Sequence, residues 1–362
     1  MKFIDLEKQY KSLEAEIDRA VKSVMDSGQY ILGPNVEGLE NELADYIGVD
    51  YGVGVASGTD ALVLSLRALD IGTGDEVITT PFTFVATAEA IISVGANPVF
   101  IDIEPDTFNI NPRLIKDAIT PRTKAIIPVH LFGLSASIEE ICQIANEYVI
   151  HVIEDNAQAL GATYSGRKTG SFGIASAVSF FPTKNLGAMG DGGMVLTANK
   201  AINDKTRQLR NHGCLEKYNS EVPGYNSRLD EVQAAVLRVK LPYLDTWNER
   251  RREIASWYGK LLPKGIAPVV KEGVEHVYHA YTIRHYKAKR IAEALRSSGI
   301  PYGTYYPIPL HLQSSFKLAG TNNTELTESE KASREVVSLP MYPELKREEV
   351  SRIASIVGDA IG

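Results

Sequence analysis

Cysteine is scarce in this sequence, since Cys142 and Cys214 are the only two among 362 residues. Two cysteines cannot form the disulfide framework of a small secreted domain, and a chain of this length can bury a large core without cross-links. Uninterrupted apolar runs of about 18 residues, which a membrane-spanning helix requires, are missing. The start of the chain, residues 1–8, is too acidic and too weakly apolar for a signal peptide. We therefore expect a cytoplasmic protein with no membrane partner.

An excess of positive charge is also missing, because the net charge is −7. This balance argues against general nucleic-acid binding, and any anionic ligand must be held by positive charge concentrated locally. The histidines show no convincing metal-ligand spacing, so we predict no metal site. The pair His276 and His279 is interpreted as structural or surface-exposed.

Short apolar, β-branched runs alternate with helical stretches, which is typical of an α/β fold. Several strands are apolar on both faces, as in a sheet covered by helices on both sides. The composition changes near residue 245, which predicts a large domain over 1–245 and a smaller α+β domain over 246–362. The first thirty residues or so can pack on either domain. The predicted strands of the large domain are residues 52–56, 76–79, 98–103, 125–130, 149–153, 177–180 and 194–197. Its predicted helices are residues 14–26, 37–46, 60–69, 85–94, 138–148 and 230–241.

A possible anion site lies at residues 57–62, where a strand-like run ends and a helix begins. We predict Thr59 as the N-cap, which leaves the free N–H groups of the first helical turn facing an anion. Gly58 allows a close approach of the backbone. The segment is a candidate phosphate cup, and the alternative is an ordinary capped helix.

Two carboxylates, Glu154 and Asp155, end the apolar run that begins at residue 149. Ligands of α/β sheets bind at the carboxyl ends of strands. One carboxylate can neutralise a protonated ring nitrogen there, and Gln158 can contact the same ring. In the alternative interpretation Asp155 caps a helix and Glu154 is solvated.

An isolated lysine such as Lys184 is most often a surface residue. This one follows an aromatic strand and a proline, and it precedes a glycine-rich turn at 187–193. A lysine held in such a pocket loses hydration, its pKa falls, and its amine can form a Schiff base. Ser179 adds a hydroxyl for a phosphate. A phosphate cup, an Asp for a ring nitrogen and a buried Lys about thirty residues later are what pyridoxal 5′-phosphate (PLP) requires.

Taken together, these segments resemble the DegT/DnrJ/EryC1/StrS family of PLP-dependent nucleotide-sugar aminotransferases, which have PLP fold type I. The resemblance implies a large domain with a mostly parallel seven-stranded sheet flanked by helices, and a smaller C-terminal α+β domain. The matching stretches extend over nearly the whole chain and comprise residues 3–6, 29–34, 56–62, 74–78, 81–87, 153–162, 179–193, 224–230, 233–235 and 306–311.

The resemblance also implies roles for individual residues in catalysis. Lys184 would hold the PLP aldehyde, and Asp155 would pair with the pyridinium nitrogen. Gln158 would lie near the phenolic oxygen of the ring. Phe84 would stack on the ring face, although it can also be a plain core aromatic.

Further residues follow from the same resemblance for phosphate and substrate. Gly58, Thr59 and Ser179 would bind the PLP phosphate. Asn226 would reach that phosphate from the neighbouring subunit, which implies a homodimer with shared active sites. The candidates for substrate contact are Tyr225, Arg228, His212 and His311.

The implied reaction moves an amino group from L-glutamate, which becomes 2-oxoglutarate, to a nucleotide-linked keto sugar for amino-sugar or polysaccharide biosynthesis. The segment 226–229, Asn-Ser-Arg-Leu, resembles relatives that aminate C3, whereas Asn-Tyr-Arg-Met is more frequent in those acting on 4-keto sugars. We therefore favour a 3-keto substrate. Some relatives carry histidine in place of this lysine and are PLP-dependent sugar dehydratases. Since this chain retains Lys184, the resemblance favours transamination over dehydration. The alternatives are a PLP-dependent sugar dehydratase or epimerase that kept its lysine, and a non-catalytic PLP-binding regulator.

Overall fold

The computed structural model describes residues 1–216, 218–317 and 326–362. Within these ranges the helices are α1 (Leu6–Ser27), α2 (Pro34–Ile47), α3 (Gly58–Ala68), α4 (Ala86–Ser93), α5 (Ile115–Ala118), α6 (Ile138–Tyr148), α7 (Lys200–Arg210), α8 (Glu231–Lys240), α9 (Leu244–Leu261), α10 (Ala288–Ser297), α11 (Ser314–Lys317), α12 (Thr327–Glu335) and α13 (Arg347–Ile361). The strands are β1 (Tyr51–Val55), β2 (Glu76–Thr79), β3 (Asn97–Phe100), β4 (Thr123–Ile126), β5 (His151–Asp155), β6 (Thr163–Tyr164), β7 (Arg167–Lys168), β8 (Ala175–Ser179), β9 (Gly193–Thr197), β10 (Cys214–Glu216), β11 (Asn219–Ser220), β12 (Val274–Glu275), β13 (Tyr281–Arg284) and β14 (Val336–Leu339).

A seven-stranded sheet forms the centre, in the order β1-β9-β8-β5-β4-β2-β3. Strand β9 runs antiparallel to β1 and β8, and the other neighbouring pairs are parallel. Each of the seven strands overlaps a predicted one, so the predicted α/β sheet is confirmed. Every residue of β2 and β9 is buried, as expected for a sheet covered on both faces. Strand β4 ends at Ile126 instead of residue 130. Pro128 follows and has no N–H to continue the ladder.

The order of the strands brings the predicted motifs to one edge of the sheet. Strand β1 leads into α3, β5 ends at Asp155 and β8 ends at Ser179. These three strands point the same way, so their carboxyl ends meet at that edge. Strand β9 begins there at Gly193, where a Cβ would collide with the carbonyl oxygen of Ser57.

Two further apolar clusters lie outside the sheet. One is built from α9, α10, α13, β13 and β14, with Tyr258, Tyr281 and Ile353 fully buried, and Ile4 packs against it. The other joins Leu13 of α1 to Trp247 of α9. The first residues of the chain thus contact both the C-terminal cluster and the neighbourhood of α8, and the boundary at 245/246 stays a prediction.

Some elements differ from the predicted ones. Helix α1 begins at Leu6 rather than residue 14, because Asp5 caps it by accepting a hydrogen bond from Lys8 N. Helix α7 was not predicted, although Asn199 caps its first turn. Among the helices of the described ranges, none combines the length and apolar character that a membrane span needs.

Candidate active site

A cavity of about 640 Å³ opens at the carboxyl edge of the central sheet. Its wall combines the ends of β1, β5 and β8 with the loop before α4 and the segment that ends at Pro307. A volume of this size suits a cofactor together with part of a substrate. The predicted site residues that line it are Gly58, Thr59, Phe84, Asp155, Gln158, Ser179 and Lys184.

The start of α3 forms one end of the cavity. Ser57, not Thr59, is the N-cap, and its Oγ accepts a 3.0 Å hydrogen bond from Asp60 N. The prediction of Thr59 as the N-cap was wrong, because this residue lies inside the first turn, and its predicted contact with a phosphate stays a prediction. A Cβ on Gly58 would lie 2.6 Å from Ser179 Cβ, so only glycine permits this close approach. The backbone amides of the first turn of α3 and the hydroxyls of Thr59 and Ser179 form a cradle suited to a phosphate.

Asp155 lies in the buried wall of the cavity with 6 % of its surface exposed. Its Oδ2 accepts a 2.8 Å hydrogen bond from Thr87 Oγ1, and its Oδ1 accepts one of 3.2 Å from Ala157 N. Burial raises the pKa of Asp155, although these bonds and the charge of Lys184 oppose the rise. A carboxylate in this setting is stabilised by a cationic partner such as a protonated ring nitrogen.

Glu154, the other carboxylate, is not solvated, and no helix begins at Asp155, so the alternative interpretation of this motif was wrong. Glu154 Oε2 lies 2.9 Å from His130 Nε2, and the two oxygens accept three hydrogen bonds from amides in the range 170–173. His130 Nδ1 accepts a hydrogen bond from Ala136 N, which leaves its proton on Nε2. Burial alone would raise the pKa of Glu154, but the hydrogen bonds hold it below its ordinary value. This network fixes the end of β5.

Lys184 projects its amine into the same cavity. Desolvation lowers the pKa of Lys184 to about 8, and the charge of Asp155 opposes this shift. Within the described part of the chain, Nζ has no hydrogen-bond partner and no ion pair within 4.0 Å. The amine therefore has an appreciable neutral fraction, the form that attacks an aldehyde, and it lines the same cavity as Asp155.

Gln158 is held at both ends of its side-chain amide. Its Oε1 accepts a 2.8 Å hydrogen bond from Phe132 N, and its Nε2 donates one of 2.9 Å to the Tyr306 hydroxyl. Burial raises the pKa of Tyr306, so its hydroxyl keeps its proton. The ring centre of Phe84 lies 6.3 Å from that of Tyr306, and 56 % of the surface of Phe84 is exposed. The stacking role predicted for Phe84 stays a prediction.

His279 also lines the cavity, and its Nδ1 is buried without a partner among the residues described. Desolvation, aided by the charges of Lys184 and Arg251, holds the pKa of His279 well below its ordinary value. His276 is fully enclosed, which lowers its pKa to about 3 and fits the structural role expected of it. The expectation of a structural or surface role missed the position of His279.

Five predicted site residues lie away from this cavity in a single subunit. The side chains of His212, Tyr225 and Asn226 are exposed. Arg228 donates a 3.3 Å hydrogen bond to Asn211, and His311 is buried beside Glu330. Their roles stay predictions.

Known proteins resemble the whole chain. The profile of the DegT/DnrJ/EryC1/StrS aminotransferase family matches residues 11–358. A "pleiotropic regulatory protein" of Geobacillus stearothermophilus is 48% identical over 98% of this chain and 97% of its own. A UDP-N-acetyl-3-dehydro-alpha-D-glucosamine 3-aminotransferase of Acidithiobacillus ferrooxidans is 47% identical over 98% of this chain and 96% of its own. The crystal structure of S. venezuelae DesV superposes with a TM-score of 0.96 at 42% identity, and the match covers 99% of this chain and 97% of DesV. The chain belongs to the DegT/DnrJ/EryC1/StrS aminotransferase family, as its motifs predict.

Enzymes of this family depend on PLP. The structure of NtdA from Bacillus subtilis contains the cofactor PMP. It matches with a TM-score of 0.93 at 32% identity, over 100% of this chain and 85% of its own. The predicted cofactor is therefore confirmed. The residues present fit it, because a phosphate cradle, a buried carboxylate and a desolvated lysine amine share one cavity. No cluster of three or more metal-ligating side chains occurs in the described ranges.

Proposed function

We propose that this protein transfers the amino group of L-glutamate to a nucleotide-linked 3-keto sugar and releases 2-oxoglutarate. The observation that carries the proposal is the amine of Lys184, which has no partner among the described residues and shares a cavity with the buried Asp155 and the start of α3. The position of the keto group is supported by the names of relatives. Besides the A. ferrooxidans protein, one of Aneurinibacillus thermoaerophilus is called dTDP-3-amino-3,6-dideoxy-alpha-D-galactopyranose transaminase.

The side chains of the cavity divide the work of the reaction. When bound, PLP supplies an electron sink for the negative charge that develops at the substrate Cα. Lys184 Nζ would act as the base that takes the proton from Cα and then as the acid that gives it back. Asp155 keeps the ring nitrogen protonated, and Thr87 orients Asp155. Sugar amination uses the same groups in the reverse order.

The second element of the proposal is a cytoplasmic homodimer with shared active sites. The exposed side chain of Asn226 is available to a second subunit, where it would reach the PLP phosphate. Arg228 has a buried Nε without a partner among the residues described, which suits a donor that awaits a ligand. The scarcity of cysteine supports the cytoplasmic location.

A substrate screen tests the reaction. Purified protein with PLP and L-glutamate is incubated with nucleotide-linked 3-keto and 4-keto sugars, and products are identified by mass. We expect the aminated 3-keto sugar and an equal amount of 2-oxoglutarate. Amination of the 4-keto sugar alone would contradict the assigned position. Conversion of sugar without consumption of glutamate would instead indicate a dehydratase or epimerase.

A second candidate function is that of a PLP-binding regulator without turnover. It is favoured by the names of the G. stearothermophilus relative and of a "sensory transduction protein" of Saccharopolyspora erythraea, which is 42% identical over 97% of both chains. A regulator would bind PLP but would not exchange the amine of glutamate. Spectra recorded after addition of glutamate separate the two, because only the enzyme converts its cofactor to the amine form.

A further inference from the structure

Ser227 is the buried residue of the extended segment 225–228, with 1 % of its surface exposed. Its neighbours Asn226 and Arg228 are exposed and half-buried, as alternation along an extended chain requires. The backbone of the segment is held by the end of α7, where Ser227 N donates to Arg210 O at 2.9 Å. Asn226 and Arg228 therefore share one side of the segment, and Ser227 faces the opposite side.

The Ser227 hydroxyl contacts the start of α3. It donates a 2.6 Å hydrogen bond to Asp60 Oδ2 and accepts one of 3.2 Å from Ala56 N. Ala56 precedes the N-cap Ser57, and Asp60 lies in the first turn, where its own N–H donates to Ser57 Oγ. The segment is thus attached to the phosphate cradle of its own subunit.

This attachment is short and charge-assisted, which makes it one of the stronger kinds of hydrogen bond. The carboxylate of Asp60 is also favoured at the N-terminus of a helix. The backbone of residue 227 is fixed on one side by α7 and its hydroxyl on the other side by α3, which fixes the points of the chain from which the neighbouring side chains start. The position of the start of α3 therefore sets where Asn226 and Arg228 project.

We propose that Ser227 and Asp60 are positioning residues that act in trans: in each subunit they hold the segment that completes the cofactor site of the other subunit. The inference rests on the shared-site dimer of the proposed function. It adds that the hydrogen bond between Ser227 and Asp60 joins the phosphate cradle of one site to the segment that completes the second site.

Single variants give the first test. Ser227→Ala removes both hydroxyl contacts, and we expect the affinity of the apoenzyme for PLP to fall about tenfold in the homodimer. Asp60→Asn keeps an acceptor for Ser227 and is the conservative variant, with a smaller loss. PLP is titrated and the absorption of the lysine-bound cofactor is recorded, while circular dichroism verifies the fold. Unchanged affinity in both variants would overturn the proposal.

Mixed dimers give the decisive test. A Lys184→Ala subunit is combined with a Ser227→Ala subunit, so the only site that can bind PLP through lysine belongs to the Ser227→Ala chain and receives Asn226 from the other chain. If Ser227 acts in trans, this site has the PLP affinity of the matched dimer of Lys184→Ala with wild type. If it keeps the weakened affinity of the Ser227→Ala homodimer, the contact acts within its own subunit and the proposal fails. Ser227→Cys, whose thiol is only a weak donor and acceptor, replaces Ser227→Ala in the same design should the latter not fold.

A separate control tests the shared site itself. Lys184→Ala is mixed with Asn226→Ala, and one site of the mixed dimer then carries neither lesion. Recovered PLP binding and turnover support the shared site. If this control stays inactive despite proven subunit exchange, the shared-site dimer is wrong. Recovery here together with persistent weakness in the Ser227 mixture would reject only the role of Ser227 and Asp60.

Discussion

Thr87 Oγ1 donates a 2.8 Å hydrogen bond to Asp155 Oδ2 across the buried wall of the cavity. The two residues lie on α4 and at the end of β5, and both are buried. Thr83 Oγ1 lies 3.3 Å behind the Thr87 hydroxyl. The Asp155 carboxylate, which we propose pairs with the ring nitrogen of the cofactor, is therefore oriented by a hydroxyl from another element.

Removal of this hydroxyl is expected to slow the reaction with glutamate. Thr87→Ala leaves Asp155 without its side-chain donor, and a hydrogen bond to a charged group contributes about 1.5–3 kcal/mol, which corresponds to a loss of tenfold or more. The rate is measured by rapid mixing of the PLP form with glutamate, following cofactor absorption. Thr87→Ser keeps the hydroxyl and is the matched control. Equal rates in the alanine variant and the wild type would contradict the orienting role.

Asp155→Asn separates the stability of the protein from its chemistry. Because burial raises the pKa of Asp155, the charged carboxylate is disfavoured in the folded apoenzyme. We expect the variant apoenzyme to melt at a temperature at least as high as the wild type and to bind PLP. Its reaction with glutamate should slow by several orders of magnitude, because the ring nitrogen loses its counter-ion. A half-reaction at the wild-type rate would show that a different group partners the ring.

That Lys184 and Asp155 belong to one candidate site could be predicted because each residue belongs to a local pattern, and the structure places both in the same cavity. Asp155 ends an apolar run, and Lys184 stands between an aromatic strand and a glycine-rich turn. The N-cap of α3 was misplaced for an equally local reason. Ser57 and Thr59 are both good cap residues two positions apart, and only the extended backbone at Ser57 decides between them.

The supporting contacts of the site had no comparable signal. His130 and Glu154 are 24 residues apart and meet because β4 and β5 are neighbours. Gln158 and Tyr306 are separated by 148 residues. Such pairs depend on which strands and loops lie side by side, and composition or periodicity of one sequence does not specify that.

The amine of Lys184 should govern how capture of PLP by the apoenzyme depends on pH. Desolvation lowers the pKa of Lys184 to about 8, so the neutral, nucleophilic form predominates above this pH. We expect the rate of covalent capture to rise with pH and to level off above about 8. Stopped-flow absorption across this range measures it, and Lys184→Ala, which lacks the amine, gives the background. A rate that keeps rising toward the ordinary lysine pKa of 10.5 would contradict a desolvated amine.

The buried Glu154 is expected to stabilise the fold in a way that depends on pH. Its four hydrogen-bond partners are all donors, so Glu154→Gln places an NH2 group against two of them in either orientation. Breaking such a buried network costs about 3–5 kcal/mol in the free energy of unfolding. We expect this loss at pH 7 in urea denaturation of the apoenzyme.

The sign of the pH effect follows from the hydrogen bonds that hold the pKa of Glu154 below its ordinary value of 4.5, despite the opposing effect of burial. The contribution of the carboxylate to stability is complete above that ordinary value and is lost as the pH falls through the lower pKa of the folded state. The difference in unfolding free energy between the wild type and Glu154→Gln should therefore narrow when measured below pH 4.5. Glu139→Gln, on the exposed side of α6, is the matched control and should change stability little at either pH. A difference that stays constant between pH 7 and acid would show that the charge of Glu154 is not what the network stabilises.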